Sequence, residues 1–185
     1  SLPKRINKKK IKYFNNYKHL KILTIGRLTD QKDHLTLIKS LDLLKKEGCK
    51  FRLYWIGRGY NYNKILSLVK NYKLEKCIKL AGYKNKAYEF MKSANLFVLS
   101  SKYEGLPNVL IEAQYLGVPI ISSDCPSGPR EILLNGKAGT IFKTGNPKDL
   151  KNKIKFFIEN KNFFYKKLKY AKKNLYRFEN KNFDK

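Results

Sequence analysis

The strongest constraint in this sequence is an alternation. Six short apolar runs, 21–26 (KILTIG), 51–57 (FRLYWIG), 77–82 (CIKLAG), 96–100 (LFVLS), 118–122 (VPIIS) and 139–142 (GTIF), are interleaved with stretches whose apolar residues recur at helical spacing. Leu37, Leu41 and Leu44 stand at i, i+4 and i+7, behind Asp33 as a plausible N-cap. Ile65, Leu68, Val69 and Tyr72 mark the next face, and Ala87, Phe90, Met91 and Ala94 another. A helix is expected over 107–116, and Leu150, Ile154, Phe157 and Ile158 open a helical region running to about 178. Strands that are apolar on both sides must be covered on both faces, and parallel neighbours need a long crossover to return the chain. The pattern predicts an α/β fold, a Rossmann-like doubly wound parallel sheet. Ligands bind such sheets at the carboxyl ends of the strands. The loops after Ile25, Ile56, Ala81, Leu99 and Ile121 are therefore where a site is expected.

At 185 residues the chain is long enough for one self-standing core. Residues 1–20 are polar and basic with scattered aromatics and read as an interdomain linker remnant. Residues 21–160 hold the alternating pattern, and 161–185 form a helical tail. The first residue is not Met, which reads as a fragment or a processed chain. Cys49, Cys77 and Cys125 are far apart with no CxxC pair, which argues against a disulfide scaffold or a thiolate metal site and suits a reducing, cytoplasmic setting. No apolar run approaches the ~20 residues of a membrane span, and no secretory signal opens the chain.

Lys and Arg number 41 against 14 Asp and Glu, a net charge of +27. Such a field attracts nucleic acid, anionic lipid or phosphate-bearing ligands. Arg, however, occurs only at positions 5, 27, 52, 58, 130 and 177. Base readout and bidentate phosphate contacts favour Arg. The Lys excess, with abundant Asn, Ile, Tyr and Phe, reads first as composition, so nucleic acid is not the expected partner. The tail over 148–177 is basic and aromatic. It suits peripheral contact with an anionic membrane at its inner face, but its apolar spacing suits packing on its own sheet better.

Three loops carry candidate chemistry. The first run ends in Gly26-Arg27-Leu28, with Lys32 five residues after Arg27. A tight turn, a guanidinium fork and a point charge beside a helix start are tools for a diphosphate, or else ordinary surface cations. Gly57-Arg58-Gly59 lacks the third glycine of a dinucleotide fingerprint and reads as a tight turn. The informative stretch is 100–131, SSKYEGLPNVLIEAQYLGVPIISSDCPSGPRE. Pro107 fits the first helical turn. Glu104 falls in the loop before it and Glu112 two turns inside. A diphosphate at the helix N-terminus, on the amides near Asn108 and Val109, would have a carboxylate near each side. Glu104 would then hold a hexose and Glu112 a ribose. Taken alone, the pair reads equally as a solvated Glu104 and a salt-bridged Glu112.

The order E-G-L-P-N-V-L-I-E-A, then G-V-P-I-I-S-S-D, then G-P-R-E-I, resembles the C-terminal domain of family 4 retaining glycosyltransferases, the GT-B fold. The resemblance covers about 21–178. Glu104 and Glu112 match the family's E-x7-E motif, and Gly26-Arg27-Leu28 with Lys32 match its diphosphate-binding positions. It implies that Glu104 contacts the donor sugar and that Glu112 binds ribose hydroxyls. It implies that Arg27 and Lys32 neutralise the leaving diphosphate, while backbone amides around Gly105, Leu106, Pro107, Asn108 and Val109 hold phosphate and sugar. Tyr83 and Lys84 would lie near the base. It further implies a UDP-N-acetylhexosamine donor, a glycan or lipid-linked acceptor, and metal-independent chemistry without a cofactor, consistent with the lack of an Asp-x-Asp motif. The acceptor domain is missing from the implied architecture, so a donor half alone is expected to bind weakly and transfer slowly or not at all. Glu131 reads either as a cleft residue or as a plain first-turn Glu. Trp55 reads as core, and neither His19 nor His34 has a partner suggesting catalysis. A dinucleotide oxidoreductase would need GxGxxG after the first run and an acid after the second. GRLTDQ and GRGYN supply neither.

Overall fold

Strand β1 (Leu20–Ile25) runs through the middle of a six-stranded, wholly parallel sheet in the order β3-β2-β1-β4-β5-β6. The computed structural model describes residues 9–178, so the expectations for 1–8 and 179–185 lie outside it. The other strands are β2 (Phe51–Ile56), β3 (Ile78–Leu80), β4 (Leu96–Leu99), β5 (Ile120–Ser123) and β6 (Thr140–Phe142). Helices α1 (His34–Lys46), α2 (Tyr62–Asn71), α3 (Asn108–Leu116), α4 (Pro129–Ile132), α5 (Pro147–Glu159) and α6 (Lys161–Lys173) make most of the crossovers.

The strands alternate sides as their apolar sequence requires. Ile22, Leu53, Trp55 and Val98 bury one face under α1, α2 and α5. Leu23, Ile56, Phe97 and Leu99 bury the other with α3 and its neighbours. Asp33 caps α1, its carboxylate accepting from the Thr36 amide at 3.3 Å and the Thr36 hydroxyl at 2.7 Å. Two local expectations are corrected. Residues Ala87–Ser93 form a 3-10 helix rather than an α-helix; its larger rise, about 2 Å per residue, lets seven residues span the return from β3 to β4. Pro107 is the N-cap of α3, not its first turn, and Glu112 sits one turn inside rather than two.

Residues 9–20 lie against the sheet. Ile11 and Phe14 are buried with Tyr54 and Phe90 around them. The Arg52 guanidinium stacks over Tyr13 at 4.9 Å and Tyr17 at 4.4 Å and donates to the Tyr13 carbonyl at 2.6 Å. The scattered aromatics of this segment are its anchors.

Candidate active site at the carboxyl edge of the sheet

Because β1 pairs with β2 on one side and β4 on the other, the connections leaving these strands diverge and open a crevice above β1. The loops around it are stitched together. From the β4 loop, the Ser100 hydroxyl donates to the Lys32 carbonyl at 2.9 Å and the Lys102 amide to the Gln31 carbonyl at 2.8 Å. The Gln31 side chain returns a bond to the Tyr103 carbonyl at 2.9 Å. The Leu28 amide donates to the Arg58 carbonyl of the β2 loop, and Ser123 of β5 donates to the Ser101 carbonyl at 2.6 Å. The backbone is thus fixed before any ligand arrives.

Close approach explains three glycines. A Cβ on Gly57 would lie 1.9 Å from the Gly26 carbonyl oxygen, and one on Gly59 2.4 Å from that of Leu28. A Cβ on Gly128, which already sits at φ +52, would lie 2.0 Å from the Gly105 carbonyl oxygen. The Gly57-Arg58-Gly59 turn is therefore a packing surface for the β1 loop, and Gly128 one for the β4 loop.

Lys32 and Glu104 meet at the centre. Their nitrogen and Oε1 are 2.5 Å apart, with side chains only 15% and 7% exposed. The Ser101 hydroxyl donates to the same Oε1 at 2.5 Å. Glu104 is thus not a solvated carboxylate, and Lys32 is not a surface cation. Gly26 lies beneath the Lys32 stem, where a Cβ would be 3.4 Å from Cε. Ser101, fully buried, is the member that the sequence reading missed. Its only signal was a polar pair closing an otherwise apolar strand.

The other candidates ring this pair. Arg27 is exposed in the β1 loop. Gly105, Leu106 and Asn108 are exposed, Val109 is half-buried and Pro107 is buried. The amides of Leu106, Asn108 and Val109 meet no acceptor among the described residues, leaving the positive end of α3 open. Glu112 is half-buried and has no hydrogen-bond or ion-pair partner among the described residues, so it is not the salt-bridged helix residue of the alternative reading. Burial pushes its carboxyl above the usual range. Tyr83 is exposed with the Arg58 guanidinium 5.0 Å over its ring, a stacking pair the sequence did not announce; Lys84 is half-buried nearby in the chain. Glu131 lies exposed in α4.

Beneath the β1 loop, His34 is buried edge-on against Trp55, ring centres 4.9 Å apart. Burial pulls its pKa down to about 4, against the opposing pull of Asp33. Among the described residues no three of His, Cys, Asp and Glu gather as a metal ion would need. Chemically, the arrangement offers a mostly buried ammonium, a guanidinium and free amides for a phosphate group, with two carboxylates for hydroxyls.

Residues 5–178 match the family model described as glycosyl transferases group 1, and the chain belongs to that family. It is 31% identical over 164 residues to the Campylobacter jejuni N-acetylgalactosamine-N,N'-diacetylbacillosaminyl-diphospho-undecaprenol 4-alpha-N-acetylgalactosaminyltransferase, covering 89% of this chain and 43% of that protein. Among solved structures, a Rickettsia africae glycosyltransferase superposes with a TM-score of 0.80 at 21% identity, over 90% of this chain and 45% of that one. The S. aureus TarM G117R mutant, in a complex that includes UDP, superposes with a TM-score of 0.78 at 25% identity, over 91% and 35%. These neighbours are GT-B glycosyltransferases, and the parallel sheet is the Rossmann-like unit they share with this chain. The chain spans less than half the length of the curated relatives it matches. No helix among the described residues is long and apolar enough to cross a membrane.

Proposed function

We propose that this chain is the donor-binding half of a family 4 retaining glycosyltransferase, taking a UDP-N-acetylhexosamine for transfer to a glycan or lipid-linked acceptor. The observation that carries the reading is the mostly buried Lys32–Glu104 pair beside the open N-terminus of α3. Glu104 Oε1 already accepts from Lys32 and Ser101, and no contact to Oε2 is formed among the described residues. Oε2 would accept from a sugar hydroxyl, orienting C1. Lys32, Arg27 and the amides of Leu106, Asn108 and Val109 would take the diphosphate, and Glu112 the ribose hydroxyls. Tyr83 and Arg58 would flank the base.

In transfer, the bond from C1 to the diphosphate oxygen breaks and the bond to the acceptor oxygen forms on the same face. The acceptor proton passes to the departing phosphate. The protein's contribution is to stabilise the departing charge and to hold the reacting atoms in place. The Campylobacter relative's name specifies an N-acetylgalactosaminyltransferase acting on a diphospho-undecaprenol acceptor, and the TarM complex includes UDP; both favour this donor class.

Calorimetric titration with UDP, UDP-N-acetylhexosamines, GDP-mannose and ADP-glucose tests the proposal. One nucleotide family is expected to saturate the protein, and Glu112→Ala to weaken it about tenfold to a hundredfold through loss of charged hydrogen bonds. Equal, salt-erased binding of every polyanion would refute it.

A further inference from the structure

The amino-terminal edge of the sheet, opposite the candidate site, has a different surface. A hollow of about 840 Å³ opens there between the residues leading into β1, the turn before β2 and the α5–α6 corner. Lys18, Lys21, Lys50, Lys161 and His19 line it, and among the described residues no carboxylate does. From Lys161, α6 continues along this edge, with Phe164, Lys167 and Leu168 against the starts of β5 and β6.

The inner stripe of α6 is satisfied: Phe164, Leu168 and Ala171 are buried, and Lys167 donates to the Gly136 and Gly139 carbonyls at 2.6 and 3.1 Å. Yet Phe163, Tyr165 and Tyr170 are 44%, 45% and 42% exposed. Phe163 and Tyr170 are two turns apart on one flank, and exposed Phe156 of α5 stacks edge-on against Phe163 at 5.3 Å. Helix α6 carries lysines at 161, 166, 167, 169, 172 and 173 and no acid. Core packing explains the inner stripe but not outward aromatics set among lysines.

We propose that this edge docks on an anionic lipid bilayer. Headgroup phosphates enter the lysine-lined hollow, and the flanking aromatics of α6 sit at headgroup depth. The charge selects the partner: lysines without carboxylates favour an anionic surface. Aromatic rings beside long lysine stems suit the boundary between headgroup and acyl chain rather than free solution. The proposal is independent of the donor site, which lies at the other end of the strands.

The test is sedimentation of the full chain with phosphatidylcholine vesicles, alone or containing about a third phosphatidylglycerol. Binding is expected only to the anionic vesicles. The triple variant Lys161→Gln, Lys166→Gln, Lys169→Gln is expected to lose about tenfold or more in partitioning. A charge-matched control elsewhere, Lys39→Gln, Lys70→Gln, Lys79→Gln, is expected to lose less than about twofold. Phe163→Ser and Tyr170→Ser, checked by thermal melting to be folded, should lower the fraction still bound at high salt. Equal loss in both triples would overturn the proposal, since net charge alone would then be read. So would binding abolished by millimolar glycerol phosphate, or a concentration-dependent dimer that protects Phe163.

Discussion

At the carboxyl ends of the strands, Lys32 is 15% exposed and held by Glu104 at 2.5 Å. At the amino-terminal ends, Lys18, Lys50 and Lys161 stand exposed around an open hollow that no carboxylate lines among the described residues. The first edge is built from backbone contacts so close that three glycines are obligatory, whereas Gly48, near the second edge, has no atom within 4 Å of a built Cβ. A surface that must place a few atoms accurately fixes its backbone in advance. A surface that meets a diffuse charge needs only the right sign and long side chains.

The contrast can be broken most forcefully at glycine. Gly57→Ala drives a methyl into the Gly26 carbonyl and is expected to cost about 3 kcal/mol or more. Gly48→Ala, strained only by its φ of +79, is expected to cost about 1 kcal/mol. Urea titrations of both would decide; equal losses would show that the carboxyl-edge loops yield easily.

His34 sharpens the same contrast through pH. Its folded pKa, about 4, lies below the ordinary 6.5, so between these values the unfolded chain binds the extra proton. Stability should therefore rise with pH across that window and be lost as pH falls through it, by about 3 kcal/mol in all. His34→Gln should flatten that slope in chemical denaturation between pH 4 and 7. A slope that survives would assign it to other groups.

Ion pairs of similar length give the smallest contrast. Glu104→Ala strands Lys32 in a mostly buried position and is expected to cost about 2 kcal/mol. Glu47→Ala removes bonds of 2.6 and 2.9 Å to Lys151 and Lys155, but the Glu47 side chain is 35% exposed against 7% for Glu104, and its loss should lower the melting midpoint less. A comparable drop in both would deny that burial separates them.

Much of the sheet was legible because β-branched and leucine-rich runs have one cheap solution, burial between helices. Asp33 as a cap was legible for a similar reason: its bond to Thr36 is local. What was not legible depends on contacts distant in sequence. Gly57 and Gly59 read as a turn because the carbonyls they approach belong to a loop some thirty residues earlier. Ser101 gave little sign until Glu104 folded back onto it. Ile11 and Phe14 looked like linker residues because two apolar residues among lysines show no periodicity. The Arg58–Tyr83 stack joins loops that no pattern connects.

The bonds that assemble the candidate site join residues 68 and 72 positions apart. The crevice is incomplete in a partly folded chain that has formed β1, α1 and β2 but not yet β4. Non-local closures of this kind are slow, and they complete late when loop entropy must be met first. Any ligand of the crevice therefore recognises only the fully threaded molecule. Its binding would slow global unfolding rather than local fraying, and the rate at which binding capacity returns after denaturant dilution would time the final step of folding.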